Sequence, residues 1–193
     1  MLKVGLTGGI GSGKTTVSEM FHSLGIPVYN SDERAKYLME NDPSLRVNII
    51  QYFGEESYRS EGLNRSYLSQ EVFSDKAKLD KLNSIVHPIV ASDFEGWCLE
   101  QKAPFILKEA AILIESGAYR GLDKIIVVTA SENTRIDRVI ERDKIKAGEV
   151  RHRMNNQISD SERLEYADFV IENDGKQMLI SQVKEIFFNL CSK

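Results

Sequence analysis

The most definite chemistry lies near the start of the chain. Gly8-Gly9-Ile10-Gly11-Ser12-Gly13-Lys14-Thr15 fits G-x-x-x-x-G-K-[ST], a pattern whose glycines let backbone N–H groups turn inward around phosphate oxygens. The helix expected to begin near Gly13 adds its positive end to that cradle. Gly9, Gly11, Ser12, Gly13, Lys14, Thr15 and Thr16 are therefore the candidate nucleotide contacts. In this reading Lys14 bridges the β and γ phosphates and the Thr15 hydroxyl is the candidate Mg²⁺ ligand. The plain alternative, a glycine-rich turn with a surface lysine, is disfavoured by an apolar strand signal before the motif and an amphipathic helix signal after it. The loop implies a nucleotide without naming a reaction, since switches, motors and kinases share it. A guanine-reading N-K-x-D segment is absent from the sequence. Asp93-Phe94-Glu95-Gly96 does match D-x-x-G, but it follows no predicted strand.

Two further groups could act on phosphate. Asp32 falls just after the second predicted strand, at the edge where open α/β sheets bind ligands, and a carboxylate there can take the proton of an attacking hydroxyl. It could equally cap the helix that runs through Ala35, Leu38 and Met39. Arg135, Arg138 and Arg142 recur at i, i+3 and i+7, on one helical face. Either an anion answers that cluster, or it is a solvated face neutralised by Glu132, Asp137 and Glu141.

The elements that must position these residues read as strands alternating with helices. Strand signals fall at Lys3 to Thr7, Val28 to Asn30, Phe105 to Ile114, Lys124 to Thr129 and Phe169 to Ile171. Val17, Met20, Phe21 and Leu24 share one face of the first helix, closed by Gly25 and Pro27. Leu179, Val183, Ile186, Phe187 and Leu190 share one face of the last. The expected fold is α/β, a three-layer sandwich of the P-loop NTPase type with a five-stranded parallel sheet. Its core is 1–30, 104–130 and 167–193, with a helical insertion over about 31–103 and an arginine-bearing lid over about 131–166.

Length and composition agree with one compact body with insertions. The chain has 193 residues, of which 41% are hydrophobic and 28% charged, close to the globular average. With 25 basic against 29 acidic residues the net charge is −4, so no surface is built to neutralise a nucleic-acid backbone, and none is expected as a partner. No apolar run approaches the roughly 18 residues that span a bilayer, and no leader pattern opens the sequence; a cytoplasmic location without membrane contact is the expectation. Cys98 and Cys191 have no metal-ligand spacing, and His22, His87 and His152 lie far apart.

Beyond the loop, several segments resemble the dephospho-CoA kinase family, and the likeness runs over nearly the whole chain. Leu6-Thr7-Gly8-Gly9-Ile10-Gly11-Ser12-Gly13-Lys14-Thr15-Thr16 is similar to that family's narrower version of the loop. Asp32 with Ala35, Gly62-Leu63-Asn64-Arg65 with Leu68, and His87-Pro88 resemble its aspartate segment and substrate-domain landmarks. Arg138, Arg142 and Gln157 sit where it has its lid, and Asp168, Asn173 and Gly175 resemble its closing segment.

The resemblance implies ATP, Mg²⁺ and dephospho-CoA as ligands, with phosphoryl transfer to the ribose 3′-hydroxyl. It implies Asp32 as base, and Arg138 closing over the γ-phosphate with Arg142 secondary and Arg135 left on the surface. Arg65, His87 and Glu115 fall to the substrate side. For Arg65 the alternative is pairing with an insertion carboxylate, and for His87 a structural hydrogen bond. Asn173 and Gly175 form either a turn beside adenine or an ordinary Asn-Asp-Gly turn. Two departures stand out. Asn30-Ser31 replaces the family's Asp-Ala, losing a carboxylate, and Glu109-Ala110-Ala111-Ile112-Leu113-Ile114-Glu115 replaces Asp-x-Pro-Leu-Leu-x-Glu, putting the charge of Glu109 on a longer arm.

Overall fold

The computed structural model describes residues 1–73 and 75–192. In chain order the elements are β1 (Leu2–Thr7), α1 (Lys14–Ser23), β2 (Val28–Asn30), α2 (Ser31–Asn41), α3 (Pro43–Phe53), β3 (Tyr58–Arg59), β4 (Gly62–Leu63), α4 (Arg65–Phe73) and α5 (Lys76–Leu99), then β5 (Phe105–Glu109), β6 (Lys124–Thr129), α6 (Glu132–Asp143), α7 (Ala147–Asn155), α8 (Asp160–Leu164), β7 (Phe169–Glu172) and α9 (Leu179–Cys191). They divide into two units, one built from residues 1–30 and 101–193, the other from 31–100.

In the first unit, five strands among the described residues form a parallel sheet in the order β2-β5-β1-β6-β7. The chain leaves β1 toward one edge and later returns to the other side of it, so the carboxyl end of β1 is the switch point where such sheets open a crevice. Both faces are covered. Val17 and Phe21 of α1 and Val183, Ile186 and Leu190 of α9 pack with Val4, Leu6, Leu107 and Ile126, and burying each such side chain is worth about 1.5–3 kcal/mol. On the other face Ala110 and Leu113 pack with Ile125 and Val127. That packing corrects the strand expected over Phe105 to Ile114. The strand stops at Glu109, and the apolar residues after it cover the sheet instead of extending it; a short buried apolar run has no period that separates these outcomes. Helices α6 and α7 share a small core of Ile136, Val139 and Val150, against which Ile10 is packed.

The second unit is helical apart from β3 and β4, which form an antiparallel pair only two residues long on each side. Its helices carry explicit end signals. Asp42 caps α3 by accepting from Leu45 N at 2.8 Å, with Pro43 in the first turn. Asp75 caps α5 through Ala77 N and Lys78 N. Asp93 and Gly96, of the D-x-x-G match, lie inside α5, where Asp93 accepts from Arg34 Nε at 2.9 Å. Among the described residues no helix is long and apolar enough to cross a membrane.

Candidate active site

The phosphate loop leaves β1 at its carboxyl end and enters α1 at Lys14. Gly13 has φ 96°, and a Cβ there would lie 2.1 Å from Asn173 Nδ2, so both backbone and space require glycine. The Lys14 ammonium folds back over the loop to donate to Gly8 O at 3.0 Å. Thr15 and Thr16, in the first turn of α1, are exposed. Ser12 is fully buried, and its Oγ has no hydrogen-bond partner among the described residues.

The Asn173 turn is fastened to this loop. Asn173 N donates to Thr129 O at 2.8 Å, its Nδ2 donates to Ser12 O at 2.8 Å, and its carbonyl accepts from Arg138 at 2.9 Å. Arg138 also reaches Gly11 O at 3.4 Å, from half-buried surroundings. Arg138 and Asn173 are thus brought to the loop together, with Gly175 two residues on in the left-handed region at φ 84°. Asp168 lies farther back, accepting from Ile125 N at 2.8 Å and pairing with Lys124.

The three arginines of α6 do not share one environment. Arg142 is 63% exposed and pairs with Asp143, a hydrogen bond that holds the Asp143 carboxyl below its usual range. Arg135, expected on the surface, is buried at 4% exposure. The correction has a physical cause: its guanidinium pairs with Asp160 and donates through Nε to Ile10 O at 3.1 Å, so it has exchanged water for a carboxylate and a carbonyl. Gln157 meets the same residue from the other side, accepting from Ile10 N at 2.8 Å.

The two departures from the family pattern meet each other. Asn30 and Glu109 are register partners at the carboxyl ends of β2 and β5, and Asn30 Nδ2 donates to Glu109 Oε2 at 2.7 Å. Glu109 is buried at 5% exposure, one strand from β1. The amide therefore supplies a donor to the buried carboxylate, where two acidic side chains would repel. Glu115 pairs with Arg163 at 3.5 Å and accepts from Ile158 N at 3.4 Å.

In the helical unit, Asp32 is half-buried in the first turn of α2, which begins one residue earlier at Ser31. Its charge there is favourably placed toward the positive end of the helix dipole. Arg65, at the start of α4, pairs with Glu40 at 2.8 Å, both side chains largely exposed. His87 is half-buried within α5, immediately before Pro88, which also lies inside the helix.

A phosphate loop at the switch point of a parallel sheet, with a helical unit inserted after β2, leaves many kinases open. Sequence comparison decides among them: the model of the family described as CoaE, dephospho-CoA kinase, matches residues 2–178. The chain belongs to the dephospho-CoA kinase family. A Bacteroides fragilis protein named dephospho-CoA kinase is 38% identical over 193 residues, covering 100% of this chain and 94% of its own. Among solved structures, a Thermus thermophilus protein superposes with TM-score 0.87 at 29% identity, over 97% of this chain and 96% of its own. Dephospho-CoA kinase from Campylobacter jejuni superposes with TM-score 0.71 at 26% identity, over 98% of this chain and 97% of its own.

The residues that sequence reasoning missed are Asp160 and Arg163, which with Arg135 and Gln157 hold the loop from behind. One signal was present. Ile10 is the single large apolar residue between Gly8 and Thr15, and an apolar side chain in a polar loop calls for a surface to cover it.

Proposed function

We infer that the chain transfers the γ-phosphoryl group of ATP to dephospho-CoA, giving coenzyme A and ADP, with the ribose 3′-hydroxyl as the acceptor. The observation that carries this reading is the family match over residues 2–178, joined to a phosphate loop in its required strand-to-helix setting.

In this mechanism the loop amides and the first turn of α1 hold the β and γ phosphates through aligned N–H groups. Lys14, already lying across the loop mouth, shifts from Gly8 O to phosphate oxygens and neutralises charge there. Asp32 orients the acceptor hydroxyl and takes its proton as the oxygen attacks. Arg138 lies beside Gly11 and Asn173, where its charge stabilises the nucleotide's developing negative charge, and Arg142 is the secondary lid cation. Asn173 and Gly175 form the turn on the nucleoside side. Arg65, His87 and Glu115 serve the acceptor. The hard oxygen donors of the exposed Thr15 hydroxyl and the buried Glu109 carboxylate fit Mg²⁺ and would hold it, and the ion would supply neutralisation of charge on the transferring phosphates.

An acceptor panel tests the reading. With ATP and Mg²⁺ present, dephospho-CoA should strongly stimulate ADP release, whereas shikimate, nucleoside monophosphates and water should not. Stimulation by one of these other acceptors, or tight nucleotide binding without acceptor-dependent turnover, would overturn it.

A further inference from the structure

Ile10 is gripped at every group it owns. Its carbonyl accepts from Arg135 Nε at 3.1 Å, its N–H donates to Gln157 Oε1 at 2.8 Å, and its side chain packs with Ile136, Val139 and Val150. The two hydrogen bonds lie on the peptide planes either side of its Cα, so together they fix its backbone angles and the direction of the Gly11 amide that follows. Both trace to one short stretch, residues 157–160, which runs from the link after α7 into the first residue of α8. Gln157 acts directly, and Asp160 acts through Arg135.

The second route runs through two buried arginines joined by a part-exposed carboxylate. Arg135 and Arg163 are 4% and 1% exposed, and Asp160 joins them, one carboxylate oxygen to Arg135 and the other to Arg163 at 2.7 Å. Arg163 also donates to Ile158 O at 3.1 Å and pairs with Glu115. Two cations answer two carboxylates, so withdrawing one member strands a buried charge and the set behaves as a unit. Arg135 has no room to shift toward the loop: a Cβ placed on Gly9 would meet its Cζ at 2.7 Å.

We propose that Asp160, Arg135 and Gln157 are positioning residues for the phosphate loop, setting through Ile10 the orientation of the amides that receive the nucleotide phosphates. The proposal rests on the kinase reading above for its consequence in turnover, but its direct readouts need no acceptor. In the full chain, Gln157→Leu removes one grip on Ile10 without stranding a charge, and Asp160→Asn weakens the other. Each should weaken ADP binding measured by calorimetry, and raise KM for ATP, by about tenfold to a hundredfold, as expected for misplaced contacts. Amide hydrogen exchange over residues 8–14 should accelerate in both, while KM for dephospho-CoA stays within about twofold. Gln157→Glu keeps an acceptor oxygen for Ile10 N and should restore slow exchange.

A lowered Tm with unchanged exchange and unchanged ADP affinity in the folded protein would overturn the proposal, leaving these residues purely structural. Should Asp160→Asn fail to fold, the Gln157→Leu and Gln157→Glu pair decides alone. Lack of turnover with dephospho-CoA in the unaltered chain would defeat the kinase reading, and exchange and ADP affinity would still decide the positioning role.

Discussion

The two units treat charge in opposite ways. Among the described residues, every buried charged side chain, namely Lys108, Glu109, Arg135 and Arg163, belongs to the sheet unit. The helical unit buries only the uncharged polar residues Ser31, Ser57 and Asn64, and keeps ion pairs such as Arg34 with Asp93 and Arg65 with Glu40 partly in water. A buried ion costs several kcal/mol to desolvate, and pairing seldom returns more than that. Exposed pairs are worth about 0–1 kcal/mol. The sheet unit thus keeps buried arginines, Arg135 and, through Asp160, Arg163, joined to the phosphate loop, while the helical unit keeps its ion pairs partly in water.

That contrast can be broken most directly at Lys14. Lys14→Ala should nearly abolish turnover with the fold intact, because the ammonium donates to the loop's own Gly8 carbonyl and, by the mechanism above, contacts phosphate. Near-normal activity in a well-folded variant would remove the sheet unit's claim to the nucleotide. Next is Asp32→Asn, on the other unit. General-base catalysis should fall by about a hundredfold to ten-thousandfold in kcat, with ATP affinity unchanged. Loss of its charge from the first turn of α2 costs only about 0.3–1 kcal/mol, so thermal stability should barely move. A kcat loss under about threefold would strip Asp32 of the role.

How much of this was legible in the sequence follows the same division. The five strands, the terminal helix face and the loop were readable because parallel-sheet cores and glycine-rich turns leave local patterns. The strand over Phe105 to Ile114 was read too long because burial, unlike periodicity, is set by what packs on top. Arg135 was misread because i, i+3, i+7 spacing says which residues share a face and not what that face meets. Residues 115 and 163 lie far apart in the chain yet pair, and nothing in either neighbourhood advertises the other. The Asn30 and Glu109 departures looked like two separate losses until register placed them side by side.

A paired stability measurement sharpens the comparison further. Asp160→Ala removes the carboxylate shared by two buried guanidinium groups, leaving Arg163 its pair with Glu115, and with Asp160 itself 41% exposed it should lower the unfolding free energy by about 1–3 kcal/mol. Arg34→Met, which leaves Asp93 with access to water, should cost about 1 kcal/mol or less. Urea titrations giving equal costs would mean that burial is not what separates the units. The smallest expected effect is at Arg65. Arg65→Ala should leave stability and ADP affinity nearly unchanged and raise KM for dephospho-CoA about tenfold, the value of one charged hydrogen bond. An unmoved KM would confine Arg65 to its pairing with Glu40.

The order of the strands also sets a timetable. Leu2 of β1 is the register partner of Phe105 in β5, 103 positions later by subtraction, and residues 31–100 of the stretch between β2 and β5 form the contiguous helical unit. At the usual pace of synthesis, about 5–20 residues per second, β1 waits roughly 5 to 20 s on the ribosome for that neighbour. The helical unit is fully synthesised before β5 emerges, so its contacts can form first, while β1, covered by α1 and bearing the phosphate loop, still lacks both of its strand neighbours. A newborn chain is therefore most exposed to mispairing at the strand on which its nucleotide chemistry will later depend.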